Sequence, residues 1–286
     1  MPSLNPSSDI TSFINTVFEA SILVARDNNV MTGLVRTFND RTGVATRQNS
    51  QYGGATINSI AETDDLSGQA FTPASIATLT PSEVGAQYFM TDTRIESDPF
   101  SVRNDAAQDL GGAMATKMET DLIGQFSNFT GGTVGTAGSA LTWSYLFAME
   151  AILKANKAPY PYFTVVHPYQ WYNLAKAASV ASSSATNAAP SLLEEVNSMF
   201  FVKQVGGVYI FTSSNFTIDG SADTNIGMWS RDALALDMRR APRIEPERDA
   251  SRRGWELNLS ALYAKGVWRP TFGVRGIFDC TAPTGV

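Results

Sequence analysis

Apolar residues recur every fourth position between Asp98 and Phe126: Ala106, Leu110, Met114, Met118, Leu122 and Phe126 form one row, widened by Ala107, Gly111 and Ile123. The row predicts a single long helix over residues 99–126, with Asp98 as its N-cap and Pro99 at the first helical position. At 1.5 Å rise per residue it would span on the order of 40 Å, which is long for a domain of this size. Gly111 and Gly112 each cost about 1 kcal/mol of helix propensity, a cost that makes sense where another backbone packs closely.

A period of two replaces this pattern near the C-terminus. In WELNLSALYAKGVWRPTFGVRGIF, the side chains of Trp255, Leu257, Leu259, Ala261 and Tyr263 share one strand face, and two long strands are expected to join near Lys265-Gly266. The stretch from Gly43 to Met90 is different again, rich in Thr, Ser, Ala and Gly. Turn signals at Gly53-Gly54, Asp65 to Gly68 and Pro81 separate short alternating runs such as ATINSIAE and EVGAQYFM. Almost fifty residues with so little to bury predict a projecting β-hairpin that a neighbouring chain completes, with Tyr52, Ile57, Ile60, Phe71, Tyr88 and Phe89 available for contact.

The remaining segments fall around these landmarks. Ile10, Phe13, Ile14, Val17, Phe18 and Ile22 lie at helical spacing after a turn-rich start, predicting an extended arm that leads into a helix. TGGTVGTAGSALTW, from Thr130 to Trp143, matches neither a dinucleotide fingerprint nor a P-loop and is expected to be a mobile linker. Helical stretches at 141–158, YQWYNLAKAA and SLLEEVNSMF alternate with strands at PYFTVVHP and FVKQVGGVYIFTSS, which describes a compact lobe of mixed helix and strand.

The chain has 286 residues, 43% of them hydrophobic, enough to bury a core. It contains no run of about 18 uncharged apolar residues, and its start lacks the basic segment of a secretory signal, so synthesis in the cytosol without a membrane anchor is expected. Cys280 is the sole cysteine, which excludes an intrachain disulfide and a cysteine-based zinc site. The net charge of -6 is unevenly spread: residues 1–130 carry 7 basic against 15 acidic side chains, and residues 231–286 carry 10 against 7. Such asymmetry suits copies meeting through complementary patches, and separately solvated faces suit it equally.

Catalytic chemistry finds little support. His167, the only histidine, ends the apolar strand FTVVHP with no cysteine nearby, and no G-x-S-x-G elbow is present; a structural histidine is expected, with a hydrolase using His167 as the alternative. Asp219 and Asp223 in TIDGSADTN lack the spacing and closing Glu of a calcium loop and predict a hairpin turn. No catalytic, cofactor-binding or metal site is expected. The richest charged constellation is RDALALDMRRAPRIEPERDASRR. Its interleaved signs, in an acidic chain, argue against nucleic-acid binding and for ion pairs between subunits. The candidate interface residues are Arg239, Arg240, Arg243, Glu245, Glu247, Arg248, Arg252 and Arg253, with Glu62, Asp64 and Asp65 of the projecting loop as possible acceptors.

The order of these elements, with METDLIGQF closing the long helix and DALALDMRRAPRIEPERDASRRGWELNLSALYAKGVWRPTFGVRGIFD near the C-terminus, resembles the major capsid proteins of tailed bacteriophages. The resemblance implies an α+β fold of the Hong Kong 97 type. It assigns 1–42 to an N-terminal arm and lead-in, 43–90 to the extended loop, 91–140 to the spine helix and first part of the peripheral domain, 141–230 to the axial domain, and 231–286 to the second part of the peripheral domain with the closing strands. The implied function is self-assembly into hexamers and pentamers of an icosahedral shell around phage DNA, located in the virion capsid after synthesis in the host cytoplasm.

Copies of the chain are the implied partners, with a portal, with a separate scaffolding protein or none, with noncovalent contacts or a cement protein holding the shell, and with nonspecific proximity to packaged DNA. The chain has no lysine before Lys117, so the lysine-based cross-link that some members form in their extended loop is not expected, and no maturation cleavage is expected either. An encapsulin-like bacterial compartment would share the fold and size and is the alternative within the same class.

Overall fold

The computed structural model describes residues 30–39, 45–52, 54–60, 62, 65, 68–71, 73–97, 102–184, 201–205 and 207–283. The amphipathic run at 10–26, the Asp98-Pro99 helix start and the helix expected at 191–200 lie outside these residues.

The described elements open with α1 (Met31–Leu34) and β1 (Arg36–Phe38), then a two-stranded hairpin of β2 (Arg47–Tyr52) and β3 (Pro73–Leu79). β4 (Ser82–Thr91) and α2 (Asp92–Ser97) lead to the long helix α3 (Val102–Ile123), which tightens into a 3-10 turn at Gly124–Asn128. The mixed lobe follows as β5 (Thr133–Val134), α4 (Trp143–Ala155), β6 (Tyr162–Val166), α5 (Pro168–Ser184), β7 (Phe201–Val205), β8 (Val208–Thr212) and β9 (Asp223–Ser230). β10 (Leu234–Asp249), β11 (Gly254–Val267) and β12 (Gly273–Asp279) complete the chain.

α3 has 22 residues and spans about 33 Å. The apolar row read from the sequence is the one it buries: Ala107, Leu110, Met114, Met118, Leu122, Ile123 and Phe126 all lie in the core. The helix is seated on the mixed lobe by Phe126, whose ring lies 4.9 Å from that of Trp229, with Phe129 stacked beside it at 5.7 Å. Gly227 and Gly273 permit this approach, because a Cβ at Gly227 would meet Phe126 at 2.7 Å and one at Gly273 would meet Phe129 at 2.3 Å.

A four-stranded sheet runs in the order β1-β10-β11-β4. β10 and β11 form a long antiparallel pair from Leu234↔Val267 to Asp249↔Gly254. At its turn the Asp249 carboxylate accepts the N–H groups of Ser251 (3.0 Å) and Arg252 (3.1 Å). Alternation in β11 is as expected, with Leu257, Leu259, Ala261 and Tyr263 buried. The join expected near Lys265-Gly266 falls a few residues later, between Val267 and Gly273. β11 continues through Lys265 and Gly266, Gly266 lying opposite Ala235. The chain changes sheets at Pro270–Phe272, where proline has no N–H to continue a ladder. β12 therefore pairs not with β11 but with β9, in a six-stranded sheet of order β5-β12-β9-β6-β8-β7.

Two more segments differ from expectation. The hairpin ends at Leu79, because the alternating run EVGAQYFM lies in β4, paired with β11 from Ser82↔Tyr263 to Thr91↔Gly254. The Gly-rich stretch after Thr130 is not a mobile linker but is stitched along the edge of the six-stranded sheet. Gly131 N–H donates to the carbonyl of Gly273 (3.0 Å), Arg275 N–H to that of Gly132 (2.9 Å), and Gly138 N–H to the Asp223 carboxylate (2.7 Å). Its glycines serve turns, Gly135 and Gly138 having φ of 79° and 76°.

Candidate subunit interface

The hairpin β2–β3 is bound at its root, and among the described residues its far end is largely exposed. At the root, Leu79, Ala235, Ala264 and Trp268 form a small second core, with Phe38 and Ala77 packed against it. Phe38 lies 5.1 Å from the Trp268 ring, and the Arg47 guanidinium sits 4.3 Å over Phe38. Arg47 Nε then donates to Asp237 Oδ2 at 3.2 Å, and Asn49 Nδ2 donates to the Trp268 carbonyl at 2.8 Å. Asp237 is fully buried in β10 and also accepts from Arg239 Nε at 3.0 Å. Two guanidiniums on one desolvated carboxylate give the geometry in which a buried charge is tolerated.

Past the last ladder pair, Tyr52↔Pro73, a side chain takes over the role of the ladder. The Gln69 amide accepts the Thr56 N–H at 2.9 Å and donates to the Thr56 carbonyl at 2.5 Å, as a facing strand residue would. The distal part exposes large apolar side chains: Ile57 is 94% exposed, Phe71 75% and Ile60 52%. Glu62 and Asp65 are exposed on the same segment, and Asp64 lies outside the described residues.

The arginine-rich strand pairs largely within the chain. Arg240 bonds Glu83 of β4, Arg243 lies 3.1 Å from Glu245, and Arg252 lies 3.4 Å from Glu256. Arg248 grips both oxygens of Asp92 (2.8 and 2.7 Å) with its guanidinium 5.5 Å over Trp255. These pairs knit β10, β11, β4 and α2 together. Arg243, Glu245, Glu247, Arg248, Arg252 and Arg253 nevertheless remain on the surface, Arg253 in the turn with φ of 51°. Arg239, by contrast, faces the buried Asp237.

Two acids of α3, Glu119 buried and Asp121 half-buried, escaped the sequence reading. Glu119 of α3 is 1% exposed and accepts from Asn215 Nδ2 at 2.7 Å. Burial pushes its carboxyl above the ordinary range, only partly offset by Asn215, the Ser213 hydroxyl and the Val30 amide. Asp121, two residues on, is also pushed up by burial, but hydrogen bonds from Lys117, Lys265 and Tyr263 outweigh this and hold it low. An i, i+2 pair of acids beside an apolar row was the available signal.

His167 is a capping residue. Its Nδ1 accepts the Tyr169 N–H (3.2 Å) at the start of α5, its ring lies 4.5 Å from Tyr169, and burial lowers its pKa. Asp219 closes a turn, accepting the N–H groups of Ser221 and Asp223, both at 2.9 Å. Among the described residues no cluster of His, Cys, Asp and Glu could hold a metal ion, and no helix is long and apolar enough to cross a membrane.

Comparison with known proteins bears on what such a surface serves. A family model described as phage capsid protein matches residues 75–276. Among solved structures, that of Mycobacterium phage Che8 aligns with a TM-score of 0.71 at 17% identity, covering 89% of this chain and 92% of that one. The capsid of the cyanophage P-SCSP1u aligns with a TM-score of 0.68 at 15% identity, covering 88% and 89%. A virus-like particle from Pyrococcus furiosus aligns with a TM-score of 0.60 at 8% identity, covering 92% and 98%. No curated protein matches. The fold is thus of the Hong Kong 97 type.

Proposed function

The chain belongs to the phage capsid protein family, and from that premise we propose that it is a major capsid protein whose copies close into an icosahedral shell of hexamers and pentamers around double-stranded phage DNA. The observation that carries the reading is the hairpin: its root is fixed by Asp237, while its far end exposes the large apolar side chains Ile57 and Ile60, a surface suited to contact with a neighbouring copy. Burying such side chains contributes about 1.5–3 kcal/mol each, and repetition over a closed lattice multiplies weak contacts.

In this reading the hairpin from Arg47 to Leu79 is the extended loop and α3 is the spine. The four-stranded sheet belongs to the peripheral domain and the six-stranded sheet to the axial domain, with β12 bringing the C-terminal strand into the latter. Residues 1–42 serve as arm and lead-in. The surface charges Glu62, Asp65, Arg243, Glu245, Glu247, Arg248, Arg252 and Arg253 lie at subunit contacts, and Asp64 of the same loop joins them. Scaffolding, portal and cement proteins complete the assembly, which starts from synthesis in the host cytoplasm. The chain acts as a structural protein, His167 serving its helix.

Negative-stain microscopy of the purified chain, alone and with a co-expressed scaffold, tests the reading. Hollow particles or ring-shaped capsomers are expected, and a strictly monomeric species under every condition would overturn it.

A further inference from the structure

The sheet edges of this fold are not equally protected. Among the described residues, β1 and β5 close their sheets with strands of only three and two residues, whereas β4 closes the four-stranded sheet with ten. Its ladder with β11 keeps one register throughout, so no bulge bends it away. The sequence SEVGAQYFMT holds no lysine and no proline, and its single charge, Glu83, is neutralised by Arg240. The usual devices that stop an edge from pairing are short length, charge, proline and bulges, and of these β4 has only the one paired charge.

The hydrogen-bond parity of the edge can be assigned. Asp92 N–H donates to the Arg253 carbonyl (3.0 Å), in register with the β4–β11 ladder, so in an antiparallel pair the even residues of β4 point their backbone groups at β11. The N–H and C=O groups of Glu83, Gly85, Gln87, Phe89 and Thr91 therefore point away from the sheet. Nearly all of the strand is exposed, Tyr88 and Phe89 included. Gly85 presents no side chain, and Tyr88 and Phe89 flank the edge on opposite faces.

We propose that this edge of β4 is a strand-addition site that takes an extended segment of a second copy of the chain as a fifth strand. The inference rests on the shell reading, which supplies the second copy at high local concentration. Main-chain bonds would give the affinity, and Tyr88 and Phe89 would cover alternate side chains of the incoming strand.

The test follows from the parity. Gln87→Pro deletes an outward N–H without touching the β11 ladder, and Gln87→Ala controls for the side-chain bond to Glu256. The Ala variant should assemble like the wild type. The Pro variant should keep the circular dichroism of the subunit and yield at least tenfold fewer particles. In the wild type, hydrogen exchange at the amides of Glu83, Gly85, Gln87 and Phe89 should slow at least tenfold on going from subunit to particle, a measurement that needs no variant to fold.

Particles in which these amides exchange as fast as in the subunit would overturn the edge proposal and leave the shell reading standing, as would normal assembly of the Pro variant. Protection already present in the isolated monomer would assign the edge to the chain's own residues and overturn it too. A wild-type chain that never self-associates would overturn both.

Discussion

Arg47 and Asp237, 190 residues apart, meet at 3.2 Å, and this contact fixes where the hairpin leaves the body of the protein. Asp237 is fully buried, and Arg239 shares the same carboxylate oxygen. Removing one member of such a group leaves desolvated charge behind, which costs more than the intact group contributes. Asp237→Asn is therefore expected to lower subunit stability by about 3–5 kcal/mol, measured by urea unfolding, because it removes the buried charge that both guanidiniums face. Arg47→Met should cost less, since Arg239 still answers the carboxylate.

The hairpin beyond its root contributes little to the subunit's own core. Replacing residues 53–72 with an Asn-Gly turn would join the last ladder pair, Tyr52 and Pro73, directly. The shortened subunit should melt within a few degrees of the full-length one and fail to form particles by microscopy. A normal yield of shells from it would remove the hairpin from the interface.

At the start of α5, the imidazole of His167 acts as a neutral acceptor. Losing an N-cap costs about 1 kcal/mol, so His167→Ala should destabilise by that amount, His167→Asn should restore most of it, and both should assemble. Burial lowers the folded-state pKa of His167, so as pH falls below the ordinary value of 6.5 the unfolded chain takes up the proton first. The stability this histidine contributes is thus present above 6.5 and declines as pH falls toward its lowered pKa. The slope of stability against pH between about 5 and 7 should flatten in the Asn variant, read by thermal melts.

Periodicity made the burial of α3 and β11 legible, because Leu110, Met114, Met118 and Leu122, like Leu257, Leu259 and Ala261, follow the period of a single local element. Sheet membership was not legible. EVGAQYFM alternates whether it continues a hairpin or pairs with β11, and only the register with Leu257 to Tyr263 decides. The Gly-rich segment carried the composition of a linker because its order comes from partners such as Gly273 and Asp223, far along the chain. Asp237 left a trace, being a lone acid in the apolar run ALALDM, but its partner Arg47 cannot be found by spacing. The arginine-rich strand revealed its ion pairing but not that Glu83, Asp92 and Glu256 of the same chain accept so many of its members.

Glu119 offers a pH dependence of opposite sign to that of most acids. It lies between α3, Asn215 in the loop after β8 and Val30 at the entry to α1, so its ionisation is felt where three segments meet. Burial raises its folded pKa above the ordinary 4.5, which means the unfolded chain releases the proton at lower pH. Its contribution to stability is then fully present below 4.5 and is lost as pH rises through the raised value. Asp121 behaves in the reverse way: its folded pKa is lowered, so its contribution is lost only as pH falls below the ordinary 3.8. Glu119→Gln should remove the first dependence without affecting the second. The difference in unfolding free energy, variant minus wild type, should therefore increase from pH 4 to pH 7. A difference that stays flat across this range would show that Glu119 has the same proton affinity in the folded and unfolded chain.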